Sequence, residues 1–130
     1  MPGSPIALTI LLTATFLKIL NALWGDIDIA IVGIGNNKII QNFGRIFGYN
    51  EKHLSAVGDI ATHFFNQDGS FVELYENTLS ASKDNLKNAK ETVAVACGQD
   101  KTSAIAGALR TGLINTLITD EYTARRILSY

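Results

Sequence analysis

Ile27-Asp28-Ile29-Ala30-Ile31-Val32-Gly33-Ile34 is an almost unbroken apolar run in which only Asp28 is polar. A strand with one wet face alternates polar and apolar side chains. A continuous run of this length instead reads as a strand covered on both faces, as in a parallel sheet. The pattern returns at Thr92-Val93-Ala94-Val95-Ala96-Cys97 and, shorter, at Asn115-Thr116-Leu117-Ile118-Thr119. Helical sequence follows each of these. Residues 100–111 put Ala104, Ile105, Ala108 and Leu109 on one face and stop at Gly112; residues 120–128 turn Ile127 and Leu128 inward. Strand, helix, strand, helix at this spacing is a βαβ crossover, so an α/β fold with a parallel sheet is expected.

Upstream, Leu8, Leu11, Leu12, Phe16, Ile19, Leu20 and Leu23 recur at the three-and-four spacing of one helix face, predicting a helix to about Trp24. The rest of its surface is also rather apolar, so it asks to be covered on more than one side. Between the first and second strands, residues 35–91 are too many for a plain crossover loop and must carry structure of their own. Ile60 to Phe65 and Phe71 to Tyr75 flank Asn66-Gln67-Asp68-Gly69-Ser70, whose Asp-Gly is a turn signal, and a β-hairpin is expected there. Asn50 is placed to cap a short helix through Val57, and Ser80 or Ser82 to start another reaching about Ala89.

The bulk properties close off several functions. The chain has 130 residues, 47% apolar and 18% charged, with 11 basic and 12 acidic side chains and a net charge of −1. One domain is affordable at this length, disorder is excluded, and no basic patch exists with which this chain alone would grip a phosphate backbone. A single cysteine, Cys97, closes no internal disulfide, which fits a reducing compartment and points to the cytoplasm. The apolar run from Ile6 to Leu17 lacks a basic leader region, is too short to span a bilayer and is ended by Lys18, so it reads as buried helix.

In parallel α/β sheets ligands sit beyond the carboxyl ends of the strands, where helix N-termini and loop amides converge. Gly33 and Gly35 stand there, either as a tight turn or as a loop lining a pocket; with Lys38 where a third glycine would be, they do not complete a dinucleotide fingerprint. Lys101 falls in the first turn of a predicted helix, where a cation opposes the macrodipole and calls for a phosphate or carboxylate, unless it is merely solvated and paired with Asp100. Asp59, between Gly58 and an apolar strand, suits sugar hydroxyls or base chemistry, or an ordinary turn. Asp120 and Glu121 favour a helix N-terminus. His53 and His63 have no metal-ligand spacing and read as structural, and Cys97, ending a strand, reads as a small hydrophobe. No cofactor is expected.

Four ordered blocks then resemble the sugar-binding effector domain of the SorC family of bacterial transcriptional regulators, which is related to the DeoR type. They are Asp28 to Gly35; Ser55 to Ile60 with Phe64 to Gly69; Ala94 to Lys101 with Ala104 and Ile105; and Ala108 to Arg110 with Leu113 to Glu121 and Ala124. The resemblance implies a three-layer, Rossmann-like fold with an inserted hairpin, similar to the phosphosugar isomerase and CoA-transferase fold. It implies a sugar or sugar-phosphate effector, with Lys101 on the phosphate, Asp59 on hydroxyls and the Gly33 to Gly35 loop lining the pocket. Residues 1–130 correspond to the C-terminal portion of that domain. The helix-turn-helix through which the family contacts DNA, and the first half of the effector domain, have no counterpart here. A binding module without catalysis and without a membrane, associating as a homo-oligomer, is therefore expected. The alternative is a phosphosugar isomerase or deaminase using Asp59 and Lys101 to move protons.

Overall fold

The computed structural model describes residues 5–38, 55–72 and 79–130. The first apolar run becomes strand β1 (Ile29–Gly33), which pairs in parallel with β5 (Glu91–Val95), itself parallel to β6 (Thr116–Ile118). Register is set by Ile29 opposite Glu91, Gly33 opposite Val95 and Val95 opposite Ile118. Three helices follow the predicted pattern: α3 (Lys83–Asn88), α4 (Thr102–Arg110) and α5 (Glu121–Leu128). Each has a local cause. Ser82 caps α3 in a reciprocal box with Asn85, Asp120 caps α5 by accepting from the Thr123 N–H, and α4 ends before Gly112, whose φ of 77° suits only glycine without strain.

The core lies between one face of the sheet and these helices. Ala30, Ala94 and Ala96 pack with Leu86, Ile105, Ala108 and Leu113, small residues on the sheet admitting larger ones from the helices. The other face is different: Ile29, Ile31, Val95 and Ile118 are 60%, 75%, 49% and 54% exposed. The run is two-sided in composition, as parallel strands are, but the described residues cover one side only. Leu128, expected to face inward, is exposed, while Ile127 joins the core.

Two further expectations need correction. The helix expected through Trp24 is two, α1 (Pro5–Thr13) and α2 (Thr15–Gly25), separated at Ala14, whose backbone is extended. The break falls between the β-branched Thr13 and Thr15, among the weaker helix formers of the stretch. Residues 60–65 do not form one strand. They turn over at Ala61 and Thr62, both at positive φ, so that β3 (Gly58–Ile60) returns at once as β4 (His63–Phe65) in a two-residue hairpin. The Asn66 to Ser70 turn exists as well, closed by Phe65 pairing with Phe71, so β4 is shared by two successive turns. β2 (Gly35–Asn36) completes this second, antiparallel sheet in the order β2-β3-β4. The helix expected from Asn50, like His53 and the residues 73–75 of the expected hairpin, lies outside the described residues, apart from the end of that helix at Ser55 to Val57.

Candidate functional site

Because β1, β5 and β6 are parallel, the segments after Gly33, Val95 and Ile118 emerge at the same end of the sheet. After β1 the chain passes directly into β2, which lays Gly35 opposite Asp59. That pairing needs a glycine for space: a Cβ on Gly35 would stand 2.0 Å from Asp59 Oδ1. Gly33 meets no such obstacle, so its side of the loop is open.

After β5 the chain runs through Gly98, at φ 121°, into a single 3₁₀ turn (Gln99–Lys101) and then α4. The turn delivers Lys101 back across the sheet end, where its Nζ donates to the Ile34 carbonyl at 3.0 Å. A backbone carbonyl, rather than Asp100, thus compensates the cation. Asp100 is occupied elsewhere, accepting from Asn36 Nδ2 at 3.1 Å through its carboxylate and at 3.4 Å through its carbonyl. The structure therefore gathers three of the four expected residues: Gly35 against Asp59, and Lys101 on the carbonyl that immediately precedes Gly35.

Asp59 is the electrostatically unusual member. Burial raises its carboxyl above the ordinary range, against the opposing pull of the Thr62 N–H, which donates to Oδ2 at 3.3 Å, and of the Lys101 and His63 charges. A carboxylate made costly by desolvation and faced by a cation is a site able to accept hydrogen bonds from hydroxyls while an anion approaches the lysine. Thr62, a β-branched residue at φ 71°, is held in that conformation partly by Asp59 and partly by its hydroxyl contact with Ser80 at 3.0 Å. His63 is buried, and its Nε2 donates to the Ala81 carbonyl at 2.7 Å.

A hollow of about 370 Å³ adjoins Lys101 at the ends of β5 and β6, bordered also by Val95, Cys97, Ile118, Thr119 and Asp120. Gly33, Gly35 and Asp59 do not border it. Cys97 is exposed on it rather than buried, because β5 ends two residues earlier at Val95. Sequence reasoning missed three contributors. Thr123 accepts from the Gly98 N–H at 3.0 Å and donates to Asp120 at 3.0 Å, tying the loop before Lys101 to the start of α5. Its hydrogen bonds, backbone first, hold the Asp120 carboxyl below its usual range. The signal was present, since Thr123 occupies the third helical position after an N-capping aspartate. Thr119 carries a buried hydroxyl without a partner, and Asn36 an amide oxygen in the same condition; neither is visible from spacing. Among the described residues no cluster of three metal-ligating side chains occurs, and no helix is long and apolar enough to cross a membrane.

A parallel α/β sheet with a cation and a desolvated carboxylate collected beyond its strand ends defines a Rossmann-like ligand-binding domain. Residues 7–129 match the family model described as "Putative sugar-binding domain", and the chain belongs to this family, the sugar-binding domain of SorC-type transcriptional regulators. It is 33% identical over 121 residues to the sorbitol operon regulator of Klebsiella pneumoniae, covering 85% of this chain and 38% of that protein. To the transcriptional regulator LsrR of Enterobacter sp. (strain 638) it is 37% identical over 115 residues, covering 78% and 35%. The crystal structure of the full-length sorbitol operon regulator SorC from Klebsiella pneumoniae superposes with a TM-score of 0.83 at 30% identity, over 96% of this chain and 42% of that one. The chain thus spans less than half the length of these relatives.

Proposed function

We propose that this chain is the C-terminal portion of the effector domain of a cytoplasmic SorC-type regulator, that it binds a sugar or sugar phosphate without catalysis, and that it associates with further copies of itself. Asp59 meets the sugar hydroxyls, Lys101 the phosphate, and Gly33 and Gly35 form the loop between them. The observation that carries the reading is the Lys101 ammonium seated on the Ile34 carbonyl, one residue from the glycine that makes room for the Asp59 carboxylate. Membership of a family of regulators supports binding over the isomerase alternative, and DNA contact belongs to a helix-turn-helix outside these residues.

The test is calorimetric titration of the chain with a panel of aldose and ketose phosphates, alongside the unphosphorylated sugars. Lys101→Met keeps the stem and removes the charge. A lost charge-assisted hydrogen bond of about 1.5–3 kcal/mol weakens phosphosugar binding by about tenfold to a hundredfold and leaves free-sugar binding nearly unchanged. Equal binding by variant and parent removes Lys101 from the site, and interconversion of aldose and ketose phosphates during the titration overturns the non-catalytic reading.

A further inference from the structure

Lys101 follows Asp100 directly in the chain, and in a solvated turn two such neighbours compete for each other. Here they do not meet, and the cause is a buried side chain on another strand. Asn36, the last residue of β2, is 5% exposed and reaches across to the 3₁₀ turn, where its Nδ2 donates to both the carboxylate and the carbonyl of Asp100. Two positions back on the same segment, the Ile34 carbonyl accepts from Lys101. Residues 34 and 36 therefore separate residues 101 and 100, one taking the cation and the other the anion.

The orientation of the amide adds a second observation. A carboxylate and a carbonyl both require donors, so the NH₂ of Asn36 must face Asp100, and its Oδ1 is left buried with no partner. An unsatisfied buried acceptor is costly, so this asparagine contributes little net stability through its hydrogen bonds. What it does contribute is the location of a charge.

We infer that Asn36 is a positioning residue that withholds the Asp100 carboxylate from Lys101 and so keeps the lysine ammonium available to an incoming anion. The inference rests on the reading of Lys101 as the anion-binding residue. It acts through Asp100 and touches no ligand itself. It separates an otherwise self-neutralising Asp-Lys pair by hydrogen-bonding the acidic member from a neighbouring sheet.

The experiment uses the full chain and four proteins: the parent, Asn36→Leu, Asp100→Ala and the double variant, with glucose 6-phosphate and inorganic phosphate as the titrants. In Asn36→Leu the freed carboxylate turns to Lys101 and phosphate binding weakens by about tenfold. Removing that carboxylate as well restores binding in the double variant to within about twofold of the parent, and Asp100→Ala alone binds as the parent does. A residue needed only for folding would give no such rescue. An unchanged affinity in Asn36→Leu, or a double variant as weak as the single, overturns the inference. Asn36→Ser, which is smaller, replaces the leucine if that variant does not fold. A ligand-free crystal structure of the Asn36 variant gives a readout independent of binding: Asp100 is expected within ion-pair distance of Lys101 Nζ, and its staying in place overturns the inference. A parent that binds neither titrant counts instead against Lys101 as the anion-binding residue, the reading on which the inference rests, and that structure then decides the role of Asn36.

Discussion

Gly35 and Asp59 illustrate how tightly the site is drawn at the scale of single residues. A Cβ at position 35 would overlap the Asp59 carboxylate, which is itself fixed by the Thr62 N–H, so the strand pair or the carboxylate must shift. Gly35→Ala is therefore expected to destabilise by about 1–3 kcal/mol in urea unfolding and to weaken sugar binding, whereas Gly33→Ala, with open space at its Cβ, leaves the strand pair intact. Asp59 also makes stability depend on pH with a definite sign. Its folded carboxyl titrates above the ordinary value of 3.8, so between the two values the folded chain retains a proton that the unfolded chain has lost. Stability from this group is full below the ordinary value and falls as pH rises through the folded value. Asp59→Asn keeps an acceptor for Thr62 and abolishes the loss. The difference in unfolding free energy, parent minus variant, should decline as pH rises above the ordinary carboxyl value and level once pH has passed the folded one. Asp68 and Asp120, both held below their usual range, act in the opposite sense but are common to both proteins and cancel in the difference. A flat difference would mean that Asp59 is not desolvated.

Elements are joined at this site by side chains rather than by long packed surfaces. The fully buried Thr123 of α5 serves the loop after β5 through Gly98, and Asp120 orients it. Thr123→Val preserves shape but leaves the Gly98 N–H without its acceptor, a loss of about 1–3 kcal/mol, and Thr123→Ser recovers most of it. Denaturant unfolding of the three proteins measures this, and equal stabilities of Thr123→Val and the parent would remove the loop tie from the account. The same elements explain what was legible in the sequence. Runs such as Thr92 to Cys97 signal a parallel strand because they are apolar on both faces, and Ser82, Asp120 and Gly112 mark helix ends because their side chains or backbone have one favoured use there. The Ala61-Thr62 turn left no such mark: neither residue favours positive φ, and the turn is closed by the pairing of Ile60 with His63 and by Asp59 and Ser80. Lys101 was legible as a cation in an unfavourable place. That it would rest on Ile34 while Asn36 held Asp100 was not, since both contacts join residues more than sixty apart.

At the scale of the whole molecule, the described residues leave the sheet unbalanced. Helices α3 to α5 cover one face, while Ile29, Ile31, Val95 and Ile118 stand exposed together on the other; Phe16, Ile19 and Leu23 of α2 are exposed as well. Parallel strands are almost always buried on both sides, and a fully buried aliphatic side chain is worth about 1.5–3 kcal/mol, so the open face is a strong drive toward association. A second copy is the occupant proposed here, because α2 offers an apolar helical stripe of the kind that covers a sheet and both copies would bury the same two surfaces reciprocally. Sedimentation equilibrium should show concentration-dependent association of the parent chain. Ile31→Glu together with Val95→Lys, at positions already open to water, should leave the fold unchanged by circular dichroism and yield a monomer. Oppositely charged substitutions guard against a mere net-charge effect. A parent chain that stays monomeric at all concentrations overturns self-association. So does a separately expressed copy of the SorC segment that this chain does not match, if it displaces the self-associated form and protects the same face, because the sheet would then be built to receive the remainder of its own domain.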